Sequence, residues 1–432
     1  MSWIIRPRRN SNNCGFNCQN GETSTMGNGN SGFTTYTPKL WVRLPKCGNF
    51  NNGKWKLRLY HTTNEEFNAV VVEHHQKWEP LLVGGQEGIY DFRPADKVVD
   101  WARERGKAVK GHTLCWHVTS PQWLEGLGKA RLEEALFRHI STTVGHFYGR
   151  CDSWDVVNEA LHPDGSGAMA DNVFLRKLGP DYVDKCFRLA HQIDPHAKLI
   201  YNDNKVEGEG LPGARSTKAD AMYNLLKGMR ERGVPVHGAG LQAHFDAAGT
   251  GLRRAPTPHA VARNVRRLGE LGLSVNISEM DVRIRKLPAG VDGALAQADI
   301  YRDVLAGVFS EEAFEGVTFW GFTDAHSWVH RFYHEDEPLL FDRAYKPKPA
   351  YFAVKEALAG VANASQGDSD FTGPVANASS SGGGGGGGGG SDGGGRTGSG
   401  SCGGGSGRLG GGTCDTGGSR RGGGGGGGGG GG

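Results

Sequence analysis

The feature that most constrains the fold is a repeat of short apolar segments, each followed by a stretch with helical periodicity. Seven such segments, rich in β-branched residues, cover 69–74, 108–117, 154–159, 198–202, 240–245, 275–281 and 317–322. Segments with apolar residues at three- and four-residue spacing lie between them, including 131–148, 216–232, 259–271 and 296–308. Alternating units of this kind predict parallel strands connected by helices.

The number and length of these units predict a (β/α)8 TIM barrel of the α/β class. The part of ordinary mixed composition spans about 300 residues, which is the usual size of one such barrel. We place this catalytic barrel at residues 61–362. One domain of this size is enough to bury a substantial core.

The first βα unit is unclear. An additional strand is expected ahead of Ala69, but the preceding residues are rich in Asn and Gly, and no strand could be identified there. Residues 55–60 alternate partly, yet they lie too close to Phe67 for a full βαβ crossover. We therefore expect residues 1–60 to form an irregular N-terminal segment.

Glycine is concentrated at one end of the chain. The sequence contains 72 Gly, and long Gly runs follow Ser381. Such runs have no apolar side chains whose burial could offset the entropy of ordering the backbone. We predict that residues 363–432 form a disordered Gly-rich tail.

Charge and cysteine content argue against several classes of partner. A net charge of +3 with interspersed acids and bases does not suggest nucleic acid. The chain contains no run of about 20 apolar residues, so we expect no membrane span, and no signal peptide is visible at the first residues. The eight cysteines fit no zinc pattern, so we expect no metal and no cofactor, and Cys115 should be a buried apolar residue.

Two glutamates at the ends of apolar strands are the candidate catalytic residues. The carboxyl ends of barrel strands form the active-site face. Glu159 ends the fourth expected strand and Glu279 lies near the end of the seventh, so the two face each other across the mouth. Breaking a glycosidic bond requires two carboxylates placed in this way. For either glutamate alone, a structural ion pair is an equally good interpretation.

Neighbouring residues favour the catalytic interpretation. Asn158 offers an amide beside Glu159 that could hold a sugar hydroxyl. His244 ends the strand next to that of Glu279, and Asp281 lies on the same side of its strand as Glu279. His244 could therefore hold Glu279 charged, as a nucleophile requires. Aromatic side chains for a polysaccharide groove are expected at the same rim, although such rings are as often core residues: Trp78, Trp116, Tyr201, Trp320 and Trp328.

A series of motifs runs with interruptions from about residue 67 to residue 358. They are Gly111-His-Thr-Leu-Cys-Trp-His117, Trp154-Asp-Val-Val-Asn-Glu-Ala160, Tyr201-Asn-Asp203, Gly240-Leu-Gln-Ala-His244, Ile277-Ser-Glu-Met-Asp281, Trp320-Gly-Phe-Thr-Asp324 and Ser327-Trp328, with shorter ones at Phe67-Asn68, Lys77-Trp78, Glu79-Pro80, Tyr90-x-Phe92, Ala95-Asp96 and Pro121-x-Trp123-Leu124. Together these motifs resemble glycoside hydrolase family 10, the endo-β-1,4-xylanases.

This resemblance implies retaining hydrolysis of internal β-1,4-xylosidic bonds in xylan by double displacement, without a metal in the chemistry. It makes Glu159 the acid/base and Glu279 the nucleophile, with Asn158, Gln242, His244 and Asp281 supporting them. The expected substrate-binding residues are Glu73, Lys77, His112, Trp116, Tyr201, Trp320 and Trp328. His74 and Thr119 depart from the family pattern, where Asn and Gln are usual, so sugar preference could differ.

Two other functions stay open from the sequence. One is a retaining β-1,4-glucanase of the same fold. The other is a non-catalytic polysaccharide-binding wall protein, suggested by the Gly-rich tail and the unclear first unit. We expect a monomer that binds xylan and xylo-oligosaccharides and is extracellular or in the cell wall, an inference from the substrate alone.

Overall fold

A computed structural model describes the backbone of residues 39–44 and residues 63–164, 166–208, 217–249 and 255–367, the last seven as backbone only. All of these lie in the first of two compact units, Met1–Gly373. Most of the predicted Gly-rich tail lies outside the described residues, so its disorder stays a prediction.

The described strands are short and mostly buried on both faces. They are β1 (Lys39–Leu44), β2 (Ala69–Val72), β3 (Ala108–Cys115), β4 (Ser153–Asn158), β5 (Lys198–Asp203), β6 (Gly238–Leu241), β7 (His244–Asp246), β8 (Ser274–Arg283) and β9 (Phe314–Phe319). Every residue of β2 and β4 is buried, as expected for strands covered by helices on one face and by the barrel interior on the other. The seven strands predicted from the sequence are all present.

Parallel pairing closes these strands into the predicted (β/α)8 barrel. Neighbouring strands pair in the order β1, β2, β3, β4, β5, β6, β8, β9, and β9 pairs back to β1. The segments β6 and β7 belong to one barrel strand, because both pair in parallel with β8. Gln242 and Ala243 interrupt this strand, and Ala243 has a positive φ of 62°. The strand carrying Glu279 is therefore the seventh of eight.

The strand that the sequence analysis could not find is β1. Its backbone pairs in parallel with β2, with Trp41 opposite Ala69, and with β9, with Lys39 opposite Gly316. Lys and Arg interrupt the apolar pattern of β1, and an Asn- and Gly-rich context surrounds it, so periodicity did not reveal the strand. The segment expected to be irregular thus contributes a strand to the barrel, while the domain bounds themselves stay a prediction.

Helices surround the barrel in the described parts of the chain. The α-helices are Trp78–Leu81, Arg93–Glu104, Lys129–His146, Val173–Leu178, Tyr182–Ile193, Lys218–Glu231, Pro258–Glu270, Gly293–Phe309, Val329–Phe332 and Pro349–Gly367. Short 3-10 helices cover Val83–Gly85, His117–Thr119, Gln122–Gly126 and Asp324–His326. None of the described helices is long and apolar enough to cross a membrane.

Local sequence signals explain where two of these helices begin. The side chain of Thr217 accepts a hydrogen bond from the Asp220 N–H, and the Asp220 carboxylate accepts one from the Thr217 N–H, which is a capping box. Asn172 accepts from the N–H groups of Phe174 and Leu175. These caps fix the helices that follow β5 and β4, and so help to set the loops that lead from those strands.

One large apolar cluster joins the strands to the helices. Trp154 of β4 is fully buried within it. A Cβ atom at Gly111, on the neighbouring strand β3, would meet the Trp154 ring at 2.2 Å. Cys115 is also buried, as predicted, and burial raises the pKa of its thiol well above the ordinary value. The core therefore fixes β3 and β4, whose ends carry several of the predicted site residues.

Candidate active site

A cleft of about 820 Å³ opens at the carboxyl ends of the barrel strands. Its position agrees with the general placement of active sites in this fold. Eleven predicted site residues line it: Glu73, Lys77, His112, Trp116, Asn158, Glu159, Gln242, His244, Glu279, Trp320 and Trp328. His74 and Thr119, the two positions that depart from the family pattern, line it as well.

Glu279 is a buried carboxylate held in its charged form. Its Oε1 accepts a 2.7 Å hydrogen bond from Asn202 Nδ2, and its Oε2 lies 3.1 Å from His244 Nε2. Burial alone would raise the pKa of this carboxyl. The hydrogen bond from His244, the nearby charges of His112 and His244 and the amide of Asn202 outweigh burial and lower the pKa to about 2. Glu279 is thus ionised over the ordinary pH range.

His244 connects Glu279 to Asp281. Its Nδ1 lies 3.0 Å from Asp281 Oδ2, and Trp328 Nε1 donates a 2.6 Å hydrogen bond to the same oxygen. Burial lowers the pKa of His244, but the charges and hydrogen bonds of Asp281 and Glu279 oppose burial and raise it to about 10. An imidazolium with both N–H groups donating is therefore the stable form.

Asp281 stands behind this arrangement rather than in the cleft. It is fully buried and is not among the lining residues, so it acts on Glu279 through His244. This is the supporting position predicted from its spacing to Glu279.

Glu159 lies in a different environment, half-buried directly after β4. Its Oε2 accepts a 3.1 Å hydrogen bond from Trp116 Nε1, and its Oε1 accepts one of 2.9 Å from Gln242 Nε2. Both donors are neutral, whereas Glu279 faces an imidazolium. The backbone of Glu159 has a positive φ of 56°, and its N–H donates to the Asn202 carbonyl. This conformation directs the carboxylate out of the strand and into the cleft.

A network of amides joins the two glutamates. Asn202 Nδ2, which donates to Glu279, also lies 2.9 Å from Asn158 Oδ1, and Gln242 Nε2 lies 3.4 Å from the same oxygen. Gly240 leaves room for Asn202, because a Cβ there would meet Asn202 Oδ1 at 2.3 Å. Asn202 belongs to the motif Tyr201-Asn-Asp203, but its contact with Glu279 was not predicted from the sequence.

The opposite wall of the cleft comes from β2 and β3. His112 is buried, and its Nδ1 lies 2.9 Å from Asp155 Oδ2, while Lys110 pairs with the other oxygen of Asp155 at 2.8 Å. The ammonium of Lys77 lies 4.7 Å from the centroid of the Trp116 ring, within reach of a cation–π interaction. These contacts fix the predicted binding residues before any ligand is present.

Two aromatic residues expected at the rim lie elsewhere. Tyr201 is fully buried, and its hydroxyl donates a 2.6 Å hydrogen bond to Asp203. Side chains alternate along a strand, and Asn202 faces the barrel interior, so Tyr201 faces the helix layer. Trp78 is also buried and stacks on His139 at a centroid distance of 4.3 Å. Both residues are therefore part of the core rather than of the groove.

Several lining residues were missed by sequence reasoning. Glu207, Arg283, Arg331, Phe332 and Tyr333 all line the cleft. Arg283 ends β8, Glu207 follows β5, and the other three lie in or just after the short helix Val329–Phe332. None of these positions belongs to a periodic pattern, so the sequence offered no signal for them. In the described parts of the chain, no group of three or more His, Cys, Asp and Glu side chains is arranged to hold a metal ion.

The geometry suits a reaction that needs one carboxylate held ionised and a second carboxyl group that can donate a proton. Glu279 is held ionised by a charged partner, and Glu159 has neutral partners and faces the open cleft. Opposed environments of this kind distinguish a nucleophile from a proton donor. Tryptophan rings beside the pair give flat surfaces suited to the C–H faces of a pyranose.

Comparison with known proteins identifies relatives in sequence and in fold. The sequence model described as Glycosyl hydrolase family 10 matches residues 48–357. "Endo-1,4-beta-xylanase B" of Thermotoga neapolitana is 36% identical over 319 residues, which covers 71% of this chain and 86% of the relative. "Beta-1,4-xylanase" of Dictyoglomus thermophilum is 35% identical over 320 residues, covering 69% of this chain and 85% of the relative.

Solved structures give the same result. Xylanase 10B from Thermotoga petrophila in complex with xylobiose superposes with a TM-score of 0.68 at 36% identity, covering 75% of this chain and 94% of that one. Native xylanase 10B from Thermotoga maritima has a TM-score of 0.68 at 35% identity, covering 76% and 97%. The match in sequence and fold agrees with the site described above, and the chain belongs to glycosyl hydrolase family 10.

Proposed function

We propose that the protein is an endo-1,4-β-xylanase that hydrolyses internal bonds of xylan with retention of configuration. The observation that carries this proposal is the opposed environment of Glu159 and Glu279 in one open cleft. Relatives named as xylanases, and the neighbouring structure that holds xylobiose, support xylan as the substrate.

The first step is attack by Glu279 on the anomeric carbon. The charged carboxylate forms a covalent bond to the sugar while Glu159 donates a proton to the departing glycosidic oxygen. His244 and Asn202 keep Glu279 ionised and oriented for attack. The proton from Glu159 lets the leaving sugar depart as a neutral alcohol.

The second step is hydrolysis of the glycosyl-enzyme. Glu159, now ionised, takes a proton from water, whose oxygen attacks the anomeric carbon and releases Glu279. Trp116 and Gln242 hold the Glu159 carboxylate in place for both roles. Two inversions at one carbon give net retention.

Two substitutions distinguish the two roles. Glu279→Gln should abolish release of reducing ends from xylan. Glu159→Gln should lower kcat on xylan by about 10²- to 10⁴-fold, the usual contribution of a general acid/base. Because a dinitrophenolate needs no proton to leave, formation of the glycosyl-enzyme from dinitrophenyl β-xylobioside should be much less affected by Glu159→Gln.

Substrate and stereochemistry are measured on the wild type. We expect release of reducing ends from xylan rather than from carboxymethylcellulose, and the β-anomer as the first product by NMR. Greater activity on carboxymethylcellulose would make the protein a glucanase, and the α-anomer as first product would reject the retaining mechanism. Equal xylan binding by wild type and Glu279→Gln, with no sugar released by either, would make it a binding protein.

We also propose that the protein works as a monomer outside the cell or in the cell wall. One cleft contains the complete carboxylate pair, and xylan is an extracellular polymer. Size-exclusion chromatography with light scattering tests the monomer, and fractionation of the producing organism with a specific antibody tests the location.

A further inference from the structure

Two aromatic side chains at the edge of the cleft are unusually exposed. Phe332 is 64% exposed and Tyr333 is 44% exposed, and both line the cleft that contains the two glutamates. A single exposed apolar residue is common on protein surfaces. Two adjacent rings at the rim of a binding cleft form a larger surface, which we call the aromatic platform.

The platform is continuous with the tryptophan that touches the catalytic network. The Trp328 ring lies 5.7 Å from the Phe332 ring and 5.7 Å from the Tyr333 ring, centroid to centroid. Trp328 also donates to Asp281 through its indole N–H. A sugar chain that passes Trp328 would therefore meet the platform next.

Charged side chains flank the two rings. The guanidinium of Arg283 lies 4.4 Å from the Tyr333 ring centroid, and that of Arg331 lies 5.4 Å from the Phe332 centroid. Arg283 is itself mostly buried, with Asp246 at 3.6 Å. Both arginines line the cleft, so N–H donors for hydroxyl groups lie beside apolar ring faces.

The segment that carries the rings is fixed at several points. The Tyr333 N–H donates to the Val329 carbonyl at 2.9 Å, and His330 Nε2 lies 2.7 Å from the Asp324 carbonyl. The Ile284 N–H, just beyond β8, donates to Asp336 at 3.0 Å. A surface already held in place loses little conformational entropy when a ligand binds.

We propose that the aromatic platform, Phe332 and Tyr333 with Arg283 and Arg331, binds a further pyranose of the xylan chain, beyond the sugars at the catalytic pair. This inference rests on the proposed function and names an additional contact for the same substrate. The ring faces pack against the C–H groups of the sugar, and the guanidinium groups donate to its hydroxyls.

A polysaccharide is favoured over a protein partner by the chemistry of the surface. The rings open into the catalytic cleft, where a polymer bound at Glu159 and Glu279 must continue. Alternating apolar faces and hydrogen-bond donors match a pyranose, which has C–H faces and equatorial hydroxyls. Self-association through the platform is the competing outcome of the test.

The test compares long and short substrates in one double variant, Phe332→Ala with Tyr333→Ala. We expect kcat/KM for xylohexaose, relative to that for p-nitrophenyl β-xylobioside, to fall about tenfold, as expected for the loss of two stacking contacts. On this proposal the short substrate ends before the platform, so the ratio isolates the additional sugar from effects on the catalytic pair.

A matched control uses aromatic residues of similar exposure away from the cleft. Phe352 is 58% exposed on the helix Pro349–Gly367, and Tyr148 is 53% exposed after the helix Lys129–His146. The double variant Phe352→Ala with Tyr148→Ala should leave the ratio unchanged. A platform variant whose two substrates lose activity equally, or lose none, would overturn the proposal.

A binding measurement separates this proposal from the proposed function. Titration of xylohexaose into Glu279→Gln, with and without the two platform substitutions, should show about tenfold weaker binding when the rings are absent. If the wild type cleaves no xylan, the proposed function fails, while this titration still decides the platform. Unchanged affinity together with loss of a dimer in light scattering would assign the platform to self-association and reject the sugar site.

Discussion

His244 determines the charge state of Glu279, the proposed nucleophile, more directly than any other described residue. It lies between two buried carboxylates. Against the effect of burial, Asp281 and Glu279 raise the pKa of His244 to about 10, and the hydrogen bond from His244 is foremost among the contacts that lower the pKa of Glu279 to about 2. The His244 contribution to stability is present below its unfolded pKa of about 6.5 and is lost as pH rises through about 10. The Glu279 contribution is present above about 4.5 and is lost as pH falls through about 2.

Replacing His244 with Asn should move the acid limb of the pH profile. Without the imidazolium, burial of Glu279 is opposed by fewer charges, so the pKa of Glu279 rises and a higher pH is needed to ionise it. We expect the acid limb of kcat/KM on a short aryl xyloside to shift upwards by about one pH unit or more.

His326→Asn is the control for this measurement. His326 lines the same cleft, but its hydrogen bond is to Tyr345 at 2.9 Å, so its removal should leave the acid limb in place. An acid limb that stays fixed in His244→Asn would contradict the assignment of His244 as the group that keeps Glu279 charged.

At this scale the sequence predicted which polar side chains meet in the cleft, but not the direction of every side chain. Glu159, Glu279 and His244 were found because polar residues at strand ends converge on one rim. Tyr201 was placed wrongly, because the direction of a side chain depends on the register of its strand, and one position separates the cleft from the helix layer. Phe332 and Tyr333 follow no period and became visible only in three dimensions.

Among the elements, β5 and the helix Lys218–Glu231 are joined by a buried ion pair beneath Glu159. Lys218 Nζ lies 2.6 Å from Asp203 Oδ1, and both side chains are fully buried. The Leu161 N–H, two residues beyond Glu159, donates to the other oxygen of Asp203 at 3.3 Å. Burial raises the pKa of Asp203 to about 6, with Lys218 and Tyr201 opposing the rise. The pair therefore fixes the turn that presents Glu159.

Lys218→Met should be strongly destabilising at neutral pH. It leaves Asp203 buried without its cation, which costs about 3–5 kcal/mol in the free energy of unfolding. The folded-state pKa of Asp203 is already above its unfolded value and rises further without Lys218. The loss in the free energy of unfolding is therefore fully present above the folded-state pKa of Asp203 in the variant. This loss shrinks as pH falls towards the unfolded pKa of about 4, because Asp203 becomes protonated and neutral.

Urea denaturation at pH 8 and pH 5 measures this dependence. Arg232→Met is the control, because the Arg232–Asp184 pair joins neighbouring helices at the surface and should contribute little at either pH. An equal loss at both pH values in Lys218→Met would show that packing, rather than the charge of Asp203, accounts for the effect.

For the molecule as a whole, closure of the barrel depends on the strand that the sequence concealed. Periodicity predicted seven strands, because each is a short apolar segment followed by a stretch with helical periodicity. In contrast, Lys39 and Arg43 interrupt the apolar pattern of β1, which can be recognised only by its pairing with both β2 and β9. A barrel without this strand would expose two edges, so its presence removes the main physical objection to a stable active site.

Val42→Pro tests this closure. Val42 lies opposite Val70 of β2 and Phe319 of β9, and proline in its place removes the one backbone N–H that Val42 offers to the sheet. We expect the free energy of unfolding to fall by at least about 1–3 kcal/mol, the cost of an unsatisfied buried group. Because one closed sheet carries both Glu159 and Glu279, xylan hydrolysis and far-ultraviolet circular dichroism should be lost at the same, lower denaturant concentration. Val42→Ile keeps the N–H and should unfold near the wild-type midpoint, whereas an unchanged midpoint in Val42→Pro would mean that β1 contributes little to the barrel.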